Sequence, residues 1–251
     1  MVAAFEKVSK VGEWQCEPLL IEDYGLQAMP ETSPAKWHLA HTTWFFETFL
    51  LKPYLKNYKP LNSQYEVLFN AYYNGVGPQH PRPKRSLLSR PSVAEVYDYR
   101  RHVNEAMMVL LENDKLCNDK IIKKVILGCH HEQQHQELFF TDLKYCWFQN
   151  PLYPVYTNID SNKNSIEHKN STNHHDSWVE VHSGLYKVGF NNNGSPMLDE
   201  FSFDNELTQH KQFIEEVSIS QYIVTNAENL MFMNDAGYKS TELWLSDGWA
   251  A

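Results

Sequence analysis

The chain has no run approaching the roughly 18 consecutive apolar residues of a membrane span, and no basic stretch that rises above scatter. With a net charge of −9, nucleic acid and anionic membrane surfaces are not expected as partners. Cysteine is scarce: Cys16, Cys117, Cys129 and Cys146 form no CxxC pair and fall in predicted helices. They read as reduced thiols, so a cytoplasmic location is expected. The first residues, Met1 to Val8, lack the long apolar core of a secretory leader. Asn170-Ser171-Thr172 matches a glycosylation acceptor but has no other sign of secretion beside it. What the chain does have is hydrophobic content of 42%, with 14% aromatics, enough for a packed core.

Helical patterning dominates residues 1–156. Ser33, as a cap candidate, and Pro34 open a helix expected from about Ala35 to Leu51, stopped by Pro53. Ser92 and Glu95 form a Ser-x-x-Glu box that opens a second helix towards Leu111. A long helix is expected from Asp119 to Phe148, ended by Asn150-Pro151, with Leu127, His131, Gln134 or His135, Leu138 and Asp142 on one inward face. A further helix within Val2–Tyr24 would complete a four-helix bundle. The irregular stretch from Phe69 to Arg90 is long enough to suggest a functional loop.

Residues 157–177 are almost devoid of apolar side chains and read as a disordered linker, its His174-His175 pair solvated. From residue 178 the pattern turns β-leaning, with strands expected at Trp178–Val181, Gly184–Gly189 and Val217–Ile219. Phe203–Glu206 continues the pattern, and a helix is expected near Ala227–Met231. This segment, 178–251, reads as the start of a domain, expected to expose sheet edges and apolar surface.

The most informative stretch is His131-Glu132-Gln133-Gln134-His135, two imidazoles four residues apart on one helix face. Both rings can meet one metal ion, and a third ligand is available from His38 or His41 in the segment Trp37 to Trp44. The stretch also fits the zinc-protease motif HExxH, in which the glutamate is the base. Glu137 two residues later and a third ligand far upstream argue against that reading. Three neutral imidazoles leave open positions suited to iron(II) or zinc, and ligand type alone does not choose between them. Glu137 and Asp142 are candidates to orient a ligand ring by accepting its free N–H. The aromatic neighbours Trp37, Trp44, Phe45, Tyr72 and Tyr73 would suit a cationic ligand, although such residues are more often core.

Several segments taken in order resemble one family. They are Ser33–Thr48 with its Trp-His-Leu-Ala-His core, Phe69–Asn74, Leu88–Val96 and His130–Leu138. Phe203–Glu206, Val224–Glu228 and Trp244–Trp249 continue the match. Together they resemble the hercynine oxygenases, non-haem iron sulfoxide synthases of ergothioneine biosynthesis. The resemblance implies a mainly α protein: a DinB-like four-helix bundle followed by the start of an α+β formylglycine-generating-enzyme-like (C-type-lectin-like) domain. It implies iron(II) held by His41, His131 and His135, with Gln134 beside the metal in contact with hercynine. It assigns the carboxylate of the thiol substrate to an arginine of the loop, Arg85 or Arg90. The implied reaction joins hercynine to cysteine or γ-glutamylcysteine with dioxygen. The family's second domain runs further than this sequence, so its late catalytic groups have no counterpart here. Iron binding is therefore expected to survive while synthesis by this chain alone is weak or absent. Other classes consistent with the residues are a DinB-like zinc-dependent thiol transferase or hydrolase and a non-catalytic metal-binding remnant.

Overall fold

The computed structural model describes residues 1–157, 177–191 and 201–250. The linker candidate, apart from its ends, and with it His174-His175 and Asn170-Ser171-Thr172, lies outside the described residues. The described chain is mainly helical, with a small strand region towards its C-terminal end. It divides into two compact units, one holding residues 1–157 with 201–207, the other 177–191 with 208–250.

Four long helices build the first unit: α1 (Val2–Cys16), α2 (Ala35–Phe46), α3 (Val93–Leu111) and α4 (Asp119–Phe148). Helix α1 packs on α4, and α2 packs on both α3 and α4. Ser92 caps α3 by accepting the Glu95 N–H, and Glu95 returns a bond to the Ser92 N–H at 2.7 Å. Asn118 caps α4 through the N–H groups of Lys120 and Ile121. Helix α2 is nearly all buried, because aromatic and aliphatic side chains surround it on every side. Where it meets α4, Gly128 leaves room for Phe46: a Cβ there would lie 2.6 Å from a ring carbon. That close approach fixes how near the two site-bearing helices lie.

Three expectations change. Ser33 does not cap α2, whose N-cap is Pro34 without a side-chain bond. Its backbone N–H donates to Asp142 and its hydroxyl accepts from Arg85. Helix α2 does not run as one α-helix to Leu51; a π-turn, Glu47–Leu51, follows it, and Lys52–Tyr54 adds one further short turn. The inward face of α4 is set by Val125, Cys129, Glu132, Phe139 and Leu143, while Leu127 and Leu138 are exposed. The expected stripe is rotated because α4 packs against α1 as well as α2.

Residues 201–207, assigned to the second domain on sequence, group with the helical unit. Phe201 stacks on His130 with ring centroids 4.0 Å apart. Phe203–Glu206 ends in a 3-10 turn rather than a strand, its Glu206 carboxylate accepting the Phe203 N–H.

The second unit has two antiparallel ribbons. Strand β1 (Trp178–Val181) pairs with β4 (Val217–Ser220), and β2 (Gly184–Val188) with β3 (His210–Ile214). Helix α5 (Asn226–Asn234) follows, capped by Thr225. Among its described residues only Gly237 is buried, and Trp178, Leu185, Ile219, Ile223 and Leu245 are exposed. Two-stranded ribbons of this kind bury too little to be stable alone.

Candidate metal centre

Helices α2 and α4 bring His41, His131 and His135 together. Each offers one ring nitrogen, and the three atoms lie within 4.8 Å of one another. His41 is fully buried, and its Nδ1 sits 2.6 Å from the carbonyl oxygen of Phe69. A carbonyl only accepts, so Nδ1 carries the hydrogen and Nε2 the lone pair. That Nε2 is buried without a partner, and so are both ring nitrogens of His131. Buried polar atoms are normally hydrogen-bonded, and leaving them bare costs free energy. A single cation would satisfy His41 Nε2 and one ring nitrogen of His131 together. The residues therefore fit a metal ion.

Aromatic rings wall the cluster. His41 is sandwiched between Trp37, at 4.5 Å and 9°, and Trp44, at 5.5 Å and 15°. Phe45 covers His131 at 4.8 Å. Burial pushes the His131 pKa down to about 4. It lowers His41 and His135 well below their ordinary value too, with the neighbouring imidazoles adding to the effect. All three are neutral at pH 7, the form that binds metal.

A dependence of stability on pH follows. Between the unfolded pKa near 6.5 and the folded value near 4, the unfolded chain binds more protons at His131. The metal-free protein is therefore expected to lose stability as pH falls through that window. From pH 7 to pH 5, His131 alone contributes a loss of about 2 kcal/mol. Urea denaturation across this range checks it, and a flat profile between pH 7 and 4 would contradict the buried neutral cluster.

Of the two histidines on α2, the structure places His41 in the cluster and His38 beside it. His38 Nδ1 lies 2.9 Å from His135 Nδ1, and its Nε2 lies 3.0 Å from Asp142. Asp142 thus reaches a cluster ring only through His38. Glu137 and Gln134 stand exposed on α4, and neither side chain is hydrogen-bonded to another described residue. Glu137 is not brought to a ring nitrogen, since two residues along a helix turn it some 200° from His135.

Glu132, the would-be base of HExxH, is buried and ion-paired with Arg100. Arg100 also binds Glu13 at 3.0 Å and the carbonyl and hydroxyl of Ser9 at 2.8 and 3.0 Å. A carboxylate held this way is not free to activate water, which removes the protease reading.

The structure separates the two arginines. Arg90 is exposed and donates to the adjacent Ser89 carbonyl. Arg85 is buried, its guanidinium carbon 3.3 Å from the centroid of Trp37, the ring that stacks on His41. It donates to Ser33 at 2.8 Å, its Nε has no partner, and no described carboxylate forms an ion pair with it. Burial, with Arg82 adding, lowers its pKa to about 9. It remains a cation at pH 7; the Asp142 carboxylate favours the charge from a distance but forms no ion pair with it.

Sequence reasoning missed the Phe69 carbonyl that fixes His41. It is held by a loop organised around Asn70, which is fully buried and bonds the carbonyls of Tyr73, Gly77 and Pro78. The signal available was an asparagine followed by several turn residues.

No protein-family model matches the chain. It is 27% identical over 228 residues to a hercynine oxygenase from Mycolicibacterium thermoresistibile, a distant likeness covering 88% of this chain. The match spans 45% of that protein, so the chain covers less than half of its relative's length.

Proposed function

We propose that His41, His131 and His135 hold one iron(II) ion, serving an oxygen-dependent sulfoxide synthase that joins hercynine to cysteine or γ-glutamylcysteine. The observation that carries this is the convergence of buried, unpartnered imidazole nitrogens in a chain whose relative is a hercynine oxygenase. In this reading residues 1–156 correspond to a DinB-like bundle and 178–251 to part of a formylglycine-generating-enzyme-like domain. Bound iron(II) would supply a redox-active centre through which dioxygen takes up the electrons that C–S bond formation and sulfur oxidation release from the two substrates.

The protein's own groups then have defined tasks. Phe69 holds His41 in the tautomer that leaves Nε2 free. Trp37, Trp44 and Phe45 keep bulk water from the ligands. Arg85 receives the carboxylate of the thiol substrate, which supplies the direct ion-pair partner it lacks; Arg90 is too exposed for that task. Gln134, exposed one residue before His135, contacts hercynine from the rim. Four free cysteines suit a reducing, cytoplasmic setting.

Oxygen uptake and mass spectrometry after anaerobic iron(II) loading test the reaction, with hercynine plus either thiol. A hercynine-dependent sulfoxide supports it. Oxygen-independent turnover with zinc would favour the transferase reading, which shares the ligand set. Arg85→Gln is expected to weaken thiol binding about ten- to hundredfold, the size of a lost charged hydrogen bond. Hercynine binding should change far less. Equal affinity of wild type and variant for the thiol would remove Arg85 from the site.

A further inference from the structure

His135 is tied to a second imidazole, and that imidazole to a carboxylate. His135 Nδ1 lies 2.9 Å from Nδ1 of His38, and His38 Nε2 lies 3.0 Å from Oδ2 of Asp142. The same Oδ2 accepts the backbone N–H of Ser33 at 2.8 Å. His38 is buried and Asp142 mostly so. The three side chains come from α2 and α4, so the packing that assembles the histidine cluster also assembles this chain of bonds.

We infer that Asp142 and His38 are positioning residues that fix the tautomer of His135. A carboxylate only accepts, so the hydrogen between Asp142 and His38 belongs to His38 Nε2. A neutral ring with its hydrogen on Nε2 presents a lone pair at Nδ1. His135 Nδ1 donates its hydrogen into that lone pair, which leaves His135 Nε2 bare. The Phe69 carbonyl imposes the same arrangement on His41. Two of the three cluster histidines are thus held with hydrogen on Nδ1 and lone pair on Nε2, one by a backbone carbonyl and one by a side-chain relay. Without the carboxylate, His38 can carry its hydrogen on either nitrogen. The alternative places the His135 hydrogen on Nε2, where the ring cannot ligate. The inference rests on the proposed metal site for its consequence, while the tautomer is a property of the metal-free protein.

Two-bond 1H–15N NMR of the metal-free protein, with 15N-labelled histidine, reads the tautomers directly. His135→Gln and His38→Gln assign the signals. The expected result for wild type is Nδ1–H at His135 and Nε2–H at His38. Asp142→Leu is expected to mix the His135 tautomers and to weaken cobalt(II) binding, followed by visible absorption, about ten- to hundredfold. Asp142→Asn should preserve both, because one amide oxygen can accept from Ser33 and His38 as Oδ2 does. An Nε2–H tautomer at His135 in wild type overturns the inference, whether or not the leucine variant folds. So does an Asp142→Leu protein with unchanged tautomer and unchanged cobalt affinity. A His41→Ala variant that binds cobalt(II) as wild type does would instead sink the metal site, and the NMR result would still decide the tautomer.

Discussion

His131→Leu is expected to abolish tight iron(II) binding and, in the same variant, to make the metal-free protein more stable. Both ring nitrogens of His131 are buried without a partner, under Phe45 and beside His41. An unsatisfied buried polar group costs about 1–3 kcal/mol, and leucine removes it while filling much of the same volume. Stabilisation of about 1–2 kcal/mol is therefore expected in urea denaturation above pH 7, where the histidine is neutral in both states. The loss of affinity should exceed the ten- to hundredfold typical of supporting partners, because a ligand itself is gone. Opposite signs for stability and binding are characteristic of a functional site. A variant that is destabilised and still binds iron(II) would mean that His131 is an ordinary core residue.

Arg100→Met is expected to cost about 3–5 kcal/mol, since it leaves the Glu132 carboxylate buried without its cation. For a chain of this size that lowers the melting temperature by roughly 10 °C. The Ser9 and Thr42 oxygens that face the guanidinium lose a donor as well. The double variant Arg100→Met, Glu132→Leu should recover most of the loss, because an apolar pair of similar volume replaces the ion pair. It should also keep iron(II) affinity, since neither residue contributes to the histidine cluster. Thermal denaturation of the two variants measures this. Loss of iron(II) binding in the folded double variant would give Glu132 a direct part at the metal.

Local signals carried the helices that position the site. The Ser92–Glu95 box and Asn118 are visible as caps, and the i,i+4 spacing of His131 and His135 places both rings on one face whatever the helix packs against. Spacing could not choose between His38 and His41, because residues three apart are neighbours on a helix and either can reach a given partner. The choice was made by tertiary contacts: Phe69 takes the second nitrogen of His41, and Asp142 takes His38. Arg85 and Arg90 were likewise indistinguishable as loop cations. Packing against Trp37 buries the first, and nothing comparable covers the second. The direction of Glu132 was hidden for the same reason, since its partner Arg100 lies on another helix. The strand His210–Ile214 escaped notice because His210, Lys211 and Gln212 give no apolar alternation.

The central claim is that His41, His131 and His135 form one iron(II) site. Anaerobic titration of the metal-free protein with iron(II), beside His41→Ala, tests it most directly. The account predicts one equivalent bound tightly by the wild type and none by the variant. Equal binding by both proteins, or none by the wild type, would contradict it.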